Sequence, residues 1–101
     1  DFYIVSRGEK AEPTATVLAQ KLRHAGCSVE VDLSSSAFGK QFKRADRSGA
    51  VGCLILGDAE ADSGSVQLKW LSSGEQAELS QSALLGQVDT LRENVKALRH
   101  S

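Results

Sequence analysis

Ala37 to Gly57 reads AFGKQFKRADRSGAVGCLILG, an amphipathic helix that runs through a Ser48-Gly49 break into an apolar strand. At about 100° per residue, with Lys40 at zero, Arg44 falls at about 40°, Arg47 at about 340° and Lys43 at about 300°. On the same count Phe38, Phe42 and Ala45 fall at about 160°, 200° and 140°. The cations share one stripe and the aromatics point the other way, so one face is built to pack and the other is open to an anion. Ala50 to Leu56 is the most apolar segment of the chain and is expected at the centre of a sheet buried on both faces.

Upstream, Phe2 to Ser6 (FYIVS) is a second continuous apolar run, ended by the polar turn Arg7-Gly8-Glu9. Glu12-Pro13 opens a helix, because a first-turn proline gives up an N–H that has no partner there. Ala15, Leu18, Leu22 and Ala25 form its stripe, flanked by Val17 and Ala19, and Gly26 stops it. Val29, Val31 and Leu33 alternate with polar residues as a half-buried strand near a sheet edge. Ser34 to Ser36 form a loop ending in a serine N-cap for the helix at 37. Strand, helix, strand, helix, strand implies two right-handed parallel crossovers and a local order two-one-three. The topological switch then lies between the first and third strands, at Ser6, Arg7 and Gly8 and at Gly57 and Asp58.

Downstream, Ala59 to Gly64 reads as an acidic turn. Ser65 to Leu71 and Gln76 to Leu79 read as a hairpin across Ser72-Ser73-Gly74-Glu75, which makes the sheet mixed. Ser80 caps one last helix with its seam at Leu84, Val88, Leu91, Val95 and Leu98.

Hydrophobic and charged fractions of 41% and 25% are those of an ordinary soluble domain. With 101 residues, the chain reads as a single domain over 1–101. It starts at Asp1 straight into the apolar run and contains no methionine, the aspect of a piece excised from a longer protein. No apolar run approaches the roughly 18–20 residues a bilayer requires, so no membrane contact is expected. The net charge of −1 makes any nucleic-acid surface local. Cys27 and Cys53 lack metal-ligand spacing and read as reduced, inert thiols.

Catalytic patterns are absent. His24 and His100 have no nucleophile at a recognised spacing, and neither GxSxG, GxGxxG nor GxxxxGK[ST] occurs. Asp58, Glu60 and Asp62 cluster without an EF-hand pattern and read as a solvated loop rather than a metal site. Trp70 reads as a core or sheet-face aromatic rather than a platform on which a base stacks. The Lys40, Lys43, Arg44 and Arg47 stripe is either a solvated helix face or a phosphate grip. Only Asp46 offers it an opposite charge on the same helix, which leaves the two readings level. Arg7-Gly8-Glu9 is either a plain turn or a loop whose glycine lets a ligand approach.

FYIVSRGEKAEPTATVLAQKLRHAG, SVEVDLS, GKQFKRADRSGA and LILGDAEADSGSVQLKWLSSGEQ, in that order, resemble the C-terminal anticodon-binding domain of histidyl-tRNA synthetases, of the class IIa type. The resemblance covers about residues 1–80. It implies an α/β, three-layer fold: a mixed five-stranded sheet with three helices. It also implies that the chain grips the anticodon stem-loop of histidine tRNA. Aminoacylation, with its ATP and Mg, would belong to a separate catalytic domain of the same cytoplasmic parent chain, or of one in an organellar stroma or matrix. The parent is expected to be a homodimeric histidine–tRNA ligase, and this piece to be non-catalytic, with no cofactor or metal of its own. On this resemblance Arg7, Gly8 and Glu9 approach bases or ribose, and Lys40, Gln41 and Lys43 line the same side. Arg44 and Arg47 are expected as peripheral phosphate contacts. Gln41, at about 100° on the helix, has a second reading as an anchor to the sheet. The competing functions are a synthetase-like regulatory or protein-interaction domain and an unrelated flavodoxin-like small-ligand module.

Overall fold

Successive residues of a strand face opposite sides of a sheet, so a strand buried on both faces has no polar side to show. Phe2, Tyr3, Ile4 and Val5 are all buried, and the reason lies in what packs on each face. The computed structural model describes residues 2–32 and 37–99. In it, β1 (Phe2–Arg7) pairs in parallel with both β2 (Val29–Val31) and β3 (Gly52–Gly57). The hairpin β4 (Ser65–Trp70) and β5 (Gln76–Ser80) joins antiparallel. The order is β2-β1-β3-β4-β5, with the expected switch between β1 and β3 and the most apolar strand at the centre.

The helices are α1 (Ala11–His24), α2 (Phe38–Arg47), α3 (Asp58–Ser63), α4 (Gln81–Gly86) and α5 (Val88–Arg99). Leu18 and Leu22 of α1, Leu84 of α4 and Val88, Leu91 and Val95 of α5 close over Phe2, Ile4, Leu54, Leu56, Val66 and Leu68 on one face. On the other face α2 covers Tyr3, Val5, Cys53 and Ile55 with Ala45, and Phe38 and Phe42 lean against the same cluster. The Phe2 ring lies so close over Gly52 that a Cβ there would come within 2.8 Å. It also packs 6.2 Å from the Trp70 ring, which makes Trp70 a sheet-face aromatic.

Among the described residues the three-helix expectation becomes five helices, for two reasons. The acidic turn at 59–64 curls into α3, with Asp58 and Glu60 in its first turn, where a helix favours negative charge, and Gly64 in the left-handed region at its end. The final helix breaks at Gln87, next to Gly86, a residue that weakens a helix by about 1 kcal/mol relative to alanine. The seam survives the break: Leu84, Val88, Leu91 and Val95 are buried and only Leu98 is exposed. Ser80 caps α4 as expected, its Oγ accepting from the Ala83 amide at 2.9 Å. Ala25 is exposed and lies beyond α1 as its C-cap. The N-cap of α2 is Ala37, which has no side chain to cap with. The serine loop at 34–36, Leu33 and His100 lie outside the described residues. Among the described residues, no helix is long and apolar enough to cross a membrane.

Burial pushes the Cys53 thiol up to about 12. Burial, followed by the hydrogen bond its hydroxyl donates to Asp32, pushes Tyr3 up to about 12. Both groups hold their protons in the fold at pH values where the unfolded chain, with ordinary values of 9.0 and 10.0, releases them. Their contribution to stability is therefore complete below those values and is lost as pH rises towards 12. The urea midpoint is expected to fall across this alkaline range. Cys53→Ala should flatten the part of the fall that begins near 9.0, and Tyr3→Phe the part that begins near 10.0.

Candidate nucleic-acid interface

A buried amide side chain needs partners for both its ends, and Gln41 finds them on a single residue. Its Oε1 accepts from the Ser6 amide at 2.9 Å and its Nε2 donates to the Ser6 carbonyl at 2.8 Å. Gln41 is fully buried. The expectation that it lines an RNA-facing side therefore gives way to its second reading, as the anchor of α2. The clamp also aligns two of the expected site segments. Arg7 follows Ser6 in the chain and Lys40 precedes Gln41, so the switch-point loop and the first turn of α2 share one end of the sheet.

The buried centre of α2 is Gln41 and Ala45, about 20° either side of a line that has Lys43 directly opposite, on the angular count of an ideal helix. Lys40, Lys43 and Arg47 are exposed. Phe38 and Phe42 are flanking, half-buried residues rather than the core-facing ones expected. Their rings lie 6.1 Å apart, and the Lys69 ammonium sits 5.6 Å from the centroid of Phe42, within reach of its π face. On the opposite flank Arg44 Nη1 donates to Asp32 Oδ2 at 3.0 Å, and the hydroxyl of Tyr3 donates to the same oxygen at 2.8 Å. The Asp32 side chain is 2% exposed and that of Arg44 44%. Arg44 thus spends charge on a buried carboxylate and binds α2 to the β2 edge, a role its place in the stripe did not reveal.

Arg7 and Glu9 are exposed at the end of β1, with Arg7 in register with Gly57. Gly8 adopts φ +128°, and a Cβ on it would come within 2.1 Å of Asp58 Oδ1. The space the glycine leaves is filled by a carboxylate of the chain itself. Asp58 Oδ1 accepts from the amides of Lys10 and Ala11 at 3.1 and 3.2 Å, the place where a flavodoxin-like module would hold an anion at a helix start. Asp62 forms an ion pair with the Lys10 ammonium at 2.8 Å and holds it above its ordinary range. Glu60 Oε1 accepts from the Gly57 amide at 3.4 Å. The acidic cluster is therefore a set of internal contacts, and among the described residues no group of acids, histidines and cysteines converges as a metal site.

Part of the polar surface was not expected. Gln67 and Lys69 pair across β3 with Ile55 and Cys53, and across β5 with Glu78 and Gln76. Directly paired residues share a face, so all four lie on the α2 side of the sheet. Gln76 and Glu78 are exposed there, and Gln76 donates a hydrogen bond to Gln67. Gln67 and Lys69 are the polar positions that alternate with Val66, Leu68 and Trp70 along β4. Only the topology, with α2 packed over β1, leaves that half of the face uncovered.

The family model described as "Anticodon binding domain" matches residues 1–91. The chain therefore belongs to the anticodon-binding-domain family. Its relatives narrow the kind: it is 66% identical over 99 residues to a histidine–tRNA ligase of Synechococcus elongatus, spanning 98% of this chain and 23% of that protein. A histidyl-tRNA synthetase structure from a Nostoc species superposes with a TM-score of 0.80 at 34% identity, over 88% of this chain and 21% of that one. A prolyl-tRNA synthetase from Cryptosporidium parvum shares the fold, with a TM-score of 0.83 at 17% identity over 95% of this chain and 21% of its own. The chain thus spans about a quarter of the length of the curated relatives it matches.

The two anchors of α2 can be separated from its free cations by stability. Gln41→Leu leaves both backbone groups of Ser6 without their partner and is expected to cost about 1–3 kcal/mol for each group stranded. Arg44→Ala, by stripping a charge partner from Asp32, should also destabilise, by about 1–3 kcal/mol. Lys40→Ala and Lys43→Ala should stay within about 0.5 kcal/mol of the parent, with all four read from urea midpoints.

Proposed function

We propose that this chain is the anticodon-gripping part of a histidine–tRNA ligase and that it binds the anticodon stem-loop of histidine tRNA. The observation that carries the reading is α2 itself. Gln41 and Arg44 fix the helix to the sheet, while Lys40, Lys43 and Arg47 stay exposed beside the loop of Arg7, Gly8 and Glu9. Unpaired anticodon bases are read on their edges and by stacking, and cations hold the phosphates between them. Lys40 and Lys43 supply the phosphate grip, with Arg47 further along the helix. Arg7 and Glu9 meet bases or ribose, Gly8 shapes their loop, Gln41 sets the register of the helix and Arg44 contributes at the margin. The open polar face of Gln67, Lys69, Gln76 and Glu78 borders Phe42 and extends the surface available to splayed bases.

The rest of the parent chain carries the chemistry. It holds ATP, Mg and histidine, forms a homodimer and works where translation does, in the cytoplasm or in an organellar stroma or matrix. The piece over 1–101 contributes recognition and no catalytic group.

Binding of this chain to a histidine tRNA transcript and to the same transcript with an altered anticodon tests the reading. Tighter binding to the native anticodon is expected, and equal binding to both rejects anticodon reading. Lys40→Ala and Lys43→Ala should each weaken both complexes and lower the slope of log affinity against log salt by about 1. The preference for the native anticodon should survive in both variants.

A further inference from the structure

The first turn of α1 has its backbone donors fully accounted for, and most of the accounting comes from a distant segment. A helix leaves the amides of its first turn without internal partners. Here the Lys10 and Ala11 amides both donate to Asp58 Oδ1, at 3.1 and 3.2 Å. The Glu12 amide donates to the Gly8 carbonyl at 3.1 Å, and Pro13 has no N–H to place. One carboxylate oxygen from the end of β3 therefore caps a helix that starts 47 residues earlier in the chain. Lys10, the N-cap of α1, makes no side-chain cap of its own.

The same oxygen would lie 2.1 Å from a Cβ on residue 8, so Asp58 and the side-chain-free Gly8 are fitted to each other. Gly8 at φ +128° sets the direction in which the chain leaves Arg7 and enters Glu9 and Lys10. Asp62 holds the Lys10 side chain from the next turn of α3. The loop of residues 8–10 contains no apolar side chain, and its backbone is held by the Gly8 carbonyl on the Glu12 amide and by Asp58 on the Lys10 amide.

We propose that Asp58 is a positioning residue for base recognition: its carboxylate latches the loop of Gly8, Glu9 and Lys10 so that Arg7 and Glu9 are presented in one fixed geometry. The proposal rests on the anticodon-binding reading. It divides the labour of the surface. The cations of α2 grip any RNA backbone, and the latched loop discriminates between bases, because a preorganised loop pays its ordering cost before the ligand arrives.

The test uses this chain with two anticodon stem-loop RNAs, native and altered, alongside amide hydrogen exchange. Asp58→Ala should weaken native binding by about tenfold, the scale of a lost preorganised contact, and abolish the preference between the two RNAs. Low-salt binding through Lys40 and Lys43 should persist. Asp58→Asn, which keeps an oxygen acceptor, should restore the preference, and Asp62→Ala should leave it intact. The Lys10 and Ala11 amides should exchange faster in Asp58→Ala than in the parent chain. If Asp58→Ala does not fold, Asp58→Ser shortens the reach and carries the same comparison. Discrimination retained in Asp58→Ala or Asp58→Ser overturns the proposal, as does Asp58→Asn losing as much as Asp58→Ala. Unchanged exchange at residues 10 and 11 overturns the latch itself. A parent chain that binds both RNAs equally overturns the anticodon reading instead, and exchange at the two amides separates that outcome from a failed latch.

Discussion

The pair of hydrogen bonds between Gln41 and the backbone of Ser6 is the contact on which the arrangement of the surface depends. An amide buried at 0% exposure pays a heavy desolvation cost if it slides off its partners. It therefore sets the register of α2 along β1 as well as holding the two together. Apolar contacts from Ala45, Phe38 and Phe42 would tolerate a shifted helix, since the hydrophobic effect has no direction. A two-ended bond to one residue does not. Every exposed group of α2 is placed relative to the switch point by this clamp.

The electrostatics follow from how the acids are used. Asp32 is buried under Arg44 and Tyr3, Asp58 caps α1, Asp62 pairs with Lys10 and Glu60 bonds Gly57. A chain with a net charge of −1 can still present a local cationic surface, because the placement of charges on a face, rather than their sum, sets the field there. Lys40, Lys43 and Arg47 remain exposed on α2. Exposed cations cost little in stability and are free to meet phosphates.

The fold was readable wherever a local pattern had a single physical solution. FYIV and GCLIL are too apolar for a one-sided strand, the order of elements forces the crossovers, and the alternation from Val66 to Trp70 fixes a hairpin face. The count of helices was less legible. Six residues from Asp58 to Ser63 are too few to show a helical period. A seam that stays in phase across Gln87 conceals the break there. In the site, the angular count separated the cations of α2 from its packing side but put the aromatics at the centre of that side. Gln41 and Ala45 hold the centre instead, since a polar residue reads as surface until a partner for both its ends is known.

The sequence by itself determined the local order two-one-three, from the succession of elements and the hand of their crossovers, and the exposed lysines of α2, from helical spacing; motifs in a fixed order along the chain carried the family resemblance. The tertiary structure alone decided which polar residues are structural: Gln41 on Ser6, Arg44 on Asp32 and Asp58 on the start of α1. The partners in these pairs stand 35, 12 and 47 residues apart. A hydrogen bond needs its two atoms about 3 Å apart, and across such separations only the folded sheet brings them there.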